Sequence, residues 1–290
     1  MLRVLKKIFL TLALIASFSS LTLTAGADTE PEGGGEEKGT FLPVIMYHAV
    51  TENQGKLGRD FISPELFESD MKYLKDKGYT TVSAAEILDY VDNGAPLPEK
   101  PVLVTFDDGF YSVQYYLLPI MERLGIKAVM NVEGSFAEHA SSTPGDQDNP
   151  KWSYLTWQEI CDLQSSGLFE IGNHSYDMHH ARGSRIGCKI RPGEGCEEYR
   201  EALIQDVGKL QAKLLETCGA APVVFAYPFG SISKESYGIL EEMGLRILLT
   251  CYGMPNYLRV DPGETLILNR YNRSGSMSTE KFMSRLLKEE

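Results

Sequence analysis

Val104-Thr-Phe-Asp-Asp-Gly-Phe110 is the stretch that decides the fold of this chain. The apolar run Pro101–Phe106 predicts a buried strand, and Gly109 permits a sharp turn directly after it. Asp107 and Asp108 follow the strand side by side, and neighbouring carboxylates repel each other unless their roles differ. A carboxylate that binds a metal ion, beside one that accepts a proton from water, would meet that condition. The alternative is a solvated turn, since Asp and Gly are common turn residues.

Strands and helices alternate on both sides of this stretch. Further strands are predicted at Pro43–Tyr47, Thr80–Val82, Ala128–Val132, Phe169–Gly172, Val223–Tyr227 and Arg246–Thr250. Helix starts are predicted at Ser63, which precedes a proline, and at the capping boxes that begin at Ser83 and Thr156. Regular alternation favours a parallel sheet, open or closed into a barrel, with functional residues at the carboxyl ends of its strands. We predict a single α/β domain, a distorted (β/α) barrel of mostly parallel strands.

The first 40 residues differ in composition from the rest. Residues 1–27 combine a basic start, an apolar stretch and the cleavage pattern Ala25-Gly-Ala27, which predicts a signal peptide or, if retained, an N-terminal membrane anchor. Residues 28–40 are rich in Glu and Gly and are predicted to be a disordered linker. Residues 41–290 are long enough for one large domain. We expect a secreted or extracellular protein, or one held at the cell surface or membrane by its N-terminus.

The net charge of the chain limits the classes of partner that it is expected to bind. The whole chain carries a net charge of −12, and the part after residue 27 carries −15, because residues 1–27 hold three cationic side chains and no acid. Such a charge argues against nucleic acid or an anionic lipid surface as the main partner. It suits a neutral polymer, or one that becomes cationic during reaction, although solubility alone would also explain it.

The cysteines argue against a zinc finger or a redox motif. The five cysteines include no C-x-x-C pair. Cys188 and Cys196 flank a loop that contains Gly and Pro and could form a local disulfide in an oxidising compartment, although the sequence does not fix their disulfide state. The remaining cysteines are expected to be free thiols inside helices or strands, where a cysteine packs as a small apolar side chain.

Histidines are concentrated directly after one predicted strand. Asn173-His-Ser-Tyr-Asp-Met-His-His180 contains three of the five histidines. His174 and His179 would point apart on a regular helix or a straight strand, so a shared site requires a bent loop here. A lone histidine is more often structural than a ligand. With Asp108, however, these two would give three protein ligands and room for water, the pattern of a catalytic divalent metal site.

The chain resembles the polysaccharide deacetylases of carbohydrate esterase family 4 over about Pro43–Tyr271, most strongly in Thr105–Gly109. In that family the first aspartate of this motif is the general base and the second is a metal ligand. The resemblance therefore implies that Asp107 is the base and Asp108 a ligand of one divalent metal ion. Zinc is the expected metal, and cobalt, nickel and manganese are alternatives.

The second motif of the family supplies two histidine ligands, which match His174 and His179. The common spacing is one residue shorter than the spacing here. The longer spacing resembles the branch that deacetylates poly-β-1,6-N-acetylglucosamine of the biofilm matrix. His180 is the alternative ligand if the loop turns differently.

The other family motifs are altered in this chain. The segment Ala226–Gly230 resembles the third motif and implies that the backbone N–H of Phe229 holds the oxyanion, with Tyr227 and Phe229 as groove wall. Read alone, this segment is a strand that ends in a turn. The usual motif arginine is missing, and Arg270 is the candidate substitute.

The general acid of the family is a histidine near the C-terminus, which this chain lacks. His48 matches its motif by type and follows the first predicted strand, as in the circularly permuted arrangement of the biofilm-polymer branch. His48 is therefore the candidate acid; the alternative is a histidine that caps the strand in the core.

The resemblance implies hydrolysis of N-acetyl groups on N-acetylglucosamine residues of an extracellular polysaccharide, either the β-1,6-linked polymer or one like peptidoglycan, by a monomer. One alternative is an O-acetyl esterase that acts on a glycan such as xylan. Another is an exported glycan-binding protein without activity, which the missing arginine and C-terminal histidine would favour.

Overall fold

The computed structural model describes residues 39–143 and 148–288. The predicted signal peptide or anchor, residues 1–27, lies outside the described residues, as does all but the end of the predicted linker, residues 28–40. Within the described ranges, no helix combines the length and the apolar composition that crossing a membrane requires.

The strands carry the residues that matter for function at or beyond their carboxyl ends. In chain order they are β1 (Thr40–Phe41), β2 (Val44–Tyr47), β3 (Ala49–Val50), β4 (Phe61–Ile62), β5 (Thr80–Thr81), β6 (Pro101–Phe106), β7 (Ala128–Val132), β8 (Phe169–Asn173), β9 (Val224–Ala226), β10 (Ile247–Leu249), β11 (Tyr257–Leu258), β12 (Leu266–Leu268) and β13 (Tyr271–Asn272). The predicted strands all occur, with ends that differ by at most one residue.

The helices lie between these strands. They are α1 (Pro64–Asp76), α2 (Ala84–Asn93), α3 (Tyr111–Leu124), α4 (Gly134–Ser142), α5 (Trp157–Ser165), α6 (Cys196–Cys218), α7 (Ser236–Glu242) and α8 (Thr279–Leu287). Short 3₁₀ turns occur at Gln54–Lys56 and Pro228–Gly230.

Side-chain caps fix three of the helix starts as the sequence predicts. The Ser63 hydroxyl accepts a hydrogen bond from the first turn of α1. Ser83 with Glu86, and Thr156 with Glu159, form complete capping boxes at α2 and α5. Each cap satisfies backbone N–H groups that have no partner within the helix.

The central sheet curls into a partial barrel. Its strand order is β12-β10-β9-β8-β7-β6-β2-β13, with β5 added beside β6, and neighbouring strands are parallel. β12 and β13 are the two ends of this order, yet only Asn269 and Arg270 separate them along the chain. The sheet must therefore curl until its edges are adjacent. This confirms the predicted α/β fold with a distorted barrel of parallel strands.

Alternation along the strands divides the core into an inner and an outer layer. Val44, Leu103 and Val129 belong to one buried cluster that reaches across to β12, as side chains inside a curled sheet can. Their neighbours Ile45 and Val104 pack outward under the surrounding helices. His48, Asp107 and Asn131 continue the inner series toward the carboxyl ends of β2, β6 and β7.

The local disulfide considered for Cys188 and Cys196 does not form. The disulfide joins Cys161 of α5 to Cys218 at the end of α6, with the two Cα atoms 5.0 Å apart, and Cys188, Cys196 and Cys251 are free thiols. The bonded pair is separated by 57 positions in sequence. Packing of the two helices side by side brings them together, which closeness along the chain could not indicate.

Candidate active site

Three side chains that could bind a metal ion meet at the carboxyl end of the barrel. Asp108 follows β6, and His174 and His179 follow β8. The Asp108 Oδ1 atom lies 3.4 Å from His174 Nε2 and 3.2 Å from His179 Nε2. The three ligand atoms all lie within 4.8 Å of one another. The sequence-predicted ligand set is thus assembled in one place, and His180 is exposed outside it.

The geometry of these atoms fits a small divalent cation. Ligands about 2.0–2.1 Å from zinc in a tetrahedron are roughly 3.3 Å from one another, which is close to the two distances at Asp108. Asp108 Oδ1 is buried and has no hydrogen-bond partner among the described residues. A buried polar atom of this kind normally has a partner. A cation between the carboxylate and the two imidazoles would supply it.

A backbone contact orients one of the imidazoles. His174 Nδ1 lies 2.8 Å from the carbonyl oxygen of Ala226 on β9. Because a carbonyl only accepts, Nδ1 carries the proton and donates it, which leaves the lone pair of Nε2 directed toward Asp108. Ala226 stands near the position where the third family motif has its arginine, and here its backbone serves the histidine.

Three residues around the site hold a left-handed backbone conformation without being glycine. Asp108, Ser175 and Phe229 have φ angles of 72°, 71° and 58°. Each lies just beyond a strand of the barrel, β6, β8 or β9. The left-handed conformation at Ser175 bends the chain between His174 and His179, as a shared site requires. Such conformations cost about 1–3 kcal/mol each and concentrate at functional sites.

Electrostatics couple the ligands before any metal binds. Burial opposes the charge of Asp108, but the nearby imidazoles of His174 and His179 outweigh it and hold its pKa well below the usual range. Burial lowers the pKa of His174, but the charges of Asp107 and Asp108 outweigh it and raise the pKa. A raised pKa favours the protonated imidazole, so protons compete with a metal ion for this site.

Asp107 is held by a buried arginine. Arg270 donates from Nη1 to Asp107 Oδ1 and from Nη2 to Oδ2, both at 2.7 Å, and neither side chain is more than 2% exposed. Burial raises the pKa of Asp107, but the charges of Arg270 and His174 and the hydrogen bonds from Arg270 outweigh it and hold the pKa at about 2. Arg270 thus lies where a substitute for the missing motif arginine is expected.

Asn131 is a second partner of Asp107 that the sequence analysis did not single out. Its Nδ2 donates to Asp107 Oδ1 over 2.8 Å, and the side chain is fully buried. A side chain at Gly172 on β8 would place a Cβ 2.0 Å from Asn131 Oδ1, so only glycine leaves room for the asparagine. A polar residue within the apolar strand β7 was the signal that could have identified it.

His48 directly follows β2, at the next inner position after Met46. Its Nδ1 is buried and has no hydrogen-bond partner among the described residues. The charge of this imidazole acts on both Asp107 and Asp108, lowering the pKa of each carboxyl. His48 therefore belongs to the same group of side chains as the two aspartates.

The two residues expected to form the groove wall differ sharply. The ring of Phe229 is 45% exposed and lies 4.4 Å from the His179 ring, centroid to centroid. Tyr227 is fully buried, and its hydroxyl is hydrogen-bonded to that of Ser236 on α7. The prediction of Tyr227 as groove wall was wrong, because alternation along β9 turns Phe225 and Tyr227 outward into the layer under α6 and α7.

Comparison with known proteins places this site in a family. Residues 94–248, more than half of the chain, match the model of the family described as Polysaccharide deacetylase. The poly-β-1,6-N-acetyl-D-glucosamine N-deacetylase of Escherichia coli K12 is 26% identical over an alignment of 234 residues, gaps included, that covers 75% of this chain. The chain matches only 35% of the length of that relative.

Two solved structures have a similar fold. A de-N-acetylase from Aggregatibacter actinomycetemcomitans gives a TM-score of 0.72 at 23% identity, covering 85% of this chain and 100% of that one. IcaB from Ammonifex degensii gives 0.66 at 26% identity, covering 82% and 94%. The family model matches from β6 into β10, and the acidic pair and the histidine loop follow two of these strands. The chain therefore belongs to the polysaccharide deacetylase family.

Proposed function

We propose that this chain is a metal-dependent hydrolase that removes N-acetyl groups from N-acetylglucosamine residues of an extracellular polysaccharide, with poly-β-1,6-N-acetylglucosamine as the favoured substrate. The observation that carries the proposal is the set of three ligand atoms on Asp108, His174 and His179 beside the buried Asp107–Arg270 pair. Family membership supports a deacetylase. The name of the Escherichia coli relative supports the β-1,6-linked polymer.

We propose zinc as the metal, held by Asp108, His174 and His179. The separations of 3.2 and 3.4 Å at Asp108 suit a tetrahedral site with one position open to water. The same donors also suit cobalt, nickel or manganese. When bound, the cation would polarise an acetyl carbonyl and lower the pKa of a water molecule.

In this proposal Asp107 is the general base. Its Oδ2 accepts one hydrogen bond, from Arg270, and keeps a lone pair that can take a proton from water. With a pKa of about 2 the carboxylate is ionised at neutral pH, so it is ready to accept that proton. Arg270 and Asn131 hold the carboxylate in a single orientation while the proton moves.

His48 and Phe229 would complete the reaction. Water attacks the acetamide carbonyl, the carbon–nitrogen bond breaks, and acetate and a free amine are the products. We propose that the backbone N–H of Phe229 donates to the developing oxyanion and that His48, as an imidazolium, protonates the leaving amine. The exposed ring of Phe229 would form one wall of the sugar groove.

We propose that the protein works outside the cytoplasm. The predicted signal peptide or anchor, residues 1–27, supports export, and the Cys161–Cys218 disulfide suits an oxidising compartment. In this proposal residues 28–40 are a linker, and residues 41–290 are the catalytic domain, acting as a monomer. The charge of −15 after residue 27 suits a polymer that gains amines as it reacts.

The test is acetate release by the full chain, with zinc added, from β-1,6-linked N-acetylglucosamine oligomers. We expect release that requires the metal and falls about 10²- to 10⁴-fold in Asp107→Asn, in line with the loss of a general base. Asp92→Asn is the matched control, because Asp92 is also paired with an arginine, Arg246, but on the surface. The control should release acetate at the wild-type rate.

Other outcomes identify the alternatives. Release from acetylated xylan but not from the oligomers would indicate an O-acetyl esterase, and release from peptidoglycan fragments would indicate a different polymer. Stoichiometric zinc with no release from any of these substrates would indicate a glycan-binding protein without activity. An Asp107→Asn protein that keeps full activity would contradict the assignment of the base.

A further inference from the structure

One carboxylate outside the site binds the loop that joins the two histidines. Asp206 lies in the middle of α6, away from any helix end. Its Oδ1 accepts a hydrogen bond from the backbone N–H of Tyr176 over 2.8 Å, and its Oδ2 accepts one from Asp177 over 2.9 Å. Both oxygens of one side chain therefore hold consecutive amides of the segment between His174 and His179.

These two amides are the part of the loop that needs an outside partner. The N–H groups on either side are satisfied within the loop: Ser175 donates to the Asn173 side chain, and Met178 donates to the Ser175 hydroxyl. Tyr176 and Asp177 lie between these turns, where the left-handed conformation of Ser175 turns the chain. Without Asp206 their N–H groups would have no acceptor in the described structure.

The opposite side of the same peptide is also fixed. The carbonyl oxygen of Tyr176 accepts a hydrogen bond from the N–H of Ser135 over 2.7 Å, at the start of α4. The ring of Tyr176 lies under the Lys209 ammonium group, 3.5 Å from its centroid, and Lys209 is three residues from Asp206 on α6. The middle of the loop is thus held between α4 and α6.

The chemistry of Asp206 supports a role in this loop. A half-buried carboxylate is costly unless its oxygens accept hydrogen bonds, and both do so from the loop. Asp206 does not contact the site atoms of His174 or His179. It acts on the backbone whose bend sets the distance between them.

We infer that Asp206 is a positioning residue, which fixes the bend that lets histidines five positions apart bind one metal ion. This inference rests on the metal role proposed for His174 and His179. The longer spacing places one extra residue in the loop, and Asp206 holds the two amides at its centre. Removing Asp206 frees His179 to move away from Asp108 and His174, so the loss appears in metal affinity.

The test is zinc titration of the metal-free full chain by calorimetry. Asp206→Ala is expected to lower the zinc affinity about 10- to 100-fold, the usual effect of losing a group that orients a metal ligand. Asp206→Asn keeps the shape and one acceptor oxygen but directs an NH₂ donor at the second amide, so its zinc affinity should also fall below that of the wild type. Glu201→Ala, an exposed acid on the same helix, is the control and should bind zinc within about twofold of wild type.

Hydrogen exchange at the Tyr176 and Asp177 amides gives a second readout. We expect both amides to be protected in the wild type and to exchange faster in Asp206→Ala, with the helices of the barrel unchanged. Wild-type zinc affinity in Asp206→Ala would overturn the inference. Lower zinc affinity in Asp206→Ala with unchanged exchange at both amides would also overturn it, because the lost charge alone would then explain the loss. A wild-type protein that binds no zinc would instead contradict the proposed function.

Discussion

Arg270 and Asp107 are 163 positions apart in the chain, yet they meet through two parallel hydrogen bonds of 2.7 Å in the interior of the barrel. The arginine sits at the step from β12 to β13, where the edges of the sheet come together, and its Nε donates to the carbonyl oxygen of Thr250. The residue that orients the candidate base therefore lies where the two ends of the sheet approach each other.

Replacing Arg270 with lysine should weaken catalysis and change the acidity of Asp107. A lysine offers one point charge in place of a planar fork, so Asp107 loses at least one charged hydrogen bond, worth about 1.5–3 kcal/mol. We expect kcat at neutral pH to fall about 10- to 100-fold. Burial then outweighs the remaining pairing, and the pKa of Asp107 should rise above about 2 in a carboxyl-carbon NMR titration of metal-free protein.

Arg246→Lys is the control for this change, because Arg246 makes a similar paired contact with Asp92 at the surface. Surface pairs of this kind contribute little to stability, because water screens their charges. The control should alter neither kcat nor the pKa of Asp107. An Arg270→Lys protein with the wild-type pKa at Asp107 would contradict the assigned pairing.

Two histidines of the loop that follows β8, His174 and His180, should differ in their effect on metal binding. His174→Ala removes a buried imidazole that faces Asp108, whereas His180→Ala removes one that is 59% exposed and faces Asp177. Losing a group that merely orients a metal ligand lowers affinity up to roughly 100-fold. We expect His174→Ala, which removes a ligand itself, to lower zinc affinity by more than that, and His180→Ala to leave it unaltered. Calorimetry on metal-free protein measures both. Strong loss in His180→Ala would make His180 a ligand.

Gly172 should tolerate no side chain, although it lies in an ordinary strand. A Cβ there would stand 2.0 Å from Asn131 Oδ1 and 3.1 Å from the Val129 side chain. Overpacking of a tight interior typically costs about 1–3 kcal/mol, so Gly172→Ala should lower the free energy of unfolding by that amount and displace Asn131 from Asp107.

Urea unfolding and acetate release measure the two effects of Gly172→Ala. Gly238→Ala is the matched control, since a Cβ at that position in α7 meets nothing within 4 Å. In a helix, alanine is about 1 kcal/mol better than glycine, so the control should be neutral or stabilising. Wild-type stability and activity in Gly172→Ala would show that Asn131 has room to move.

Cys161 and Cys218 should resist alkylation when the protein is unfolded without a reducing agent, and the other three cysteines should not. Mass spectrometry is expected to find label on Cys188, Cys196 and Cys251 and none on the other two. Cys161→Ala opens a long loop and should lower the free energy of unfolding by about 2–4 kcal/mol. Cys196→Ala, at an exposed free thiol, should have little effect. Label on Cys161 in the wild type would contradict the disulfide.

The fold and the ligand set were predictable because their signals are local. A buried strand that ends in two carboxylates, and histidines that follow another strand, mark the carboxyl edge of a parallel sheet whatever lies between them. The capping boxes at Ser83 and Thr156 likewise depend on residues three positions apart. Short elements such as α4 and β13 carry no comparable pattern.

The errors arose where distant parts of the chain decide the outcome. Tyr227 follows a short strand, and which face it occupies depends on the register of β9 between β8 and β10. The partner of Cys161 depends on how α5 packs against α6. Arg270 was suggested only as a substitute for a missing motif residue, since nothing in its local sequence points to Asp107.

The left-handed conformations at Asp108, Ser175 and Phe229 set a limit on how heat-resistant this protein can become while it keeps its site. Glycine adopts this conformation freely, so glycine at any of the three would relieve about 1–3 kcal/mol of local strain, which exceeds the roughly 0.4–1 kcal/mol that its added freedom in the unfolded chain costs. The same change would remove a candidate metal ligand at Asp108, the hydroxyl that turns the loop at Ser175, or the ring beside His179 at Phe229. Selection of variants for thermal stability alone would therefore enrich glycine at these positions. The selected proteins would unfold at a higher temperature but would have an impaired candidate active site.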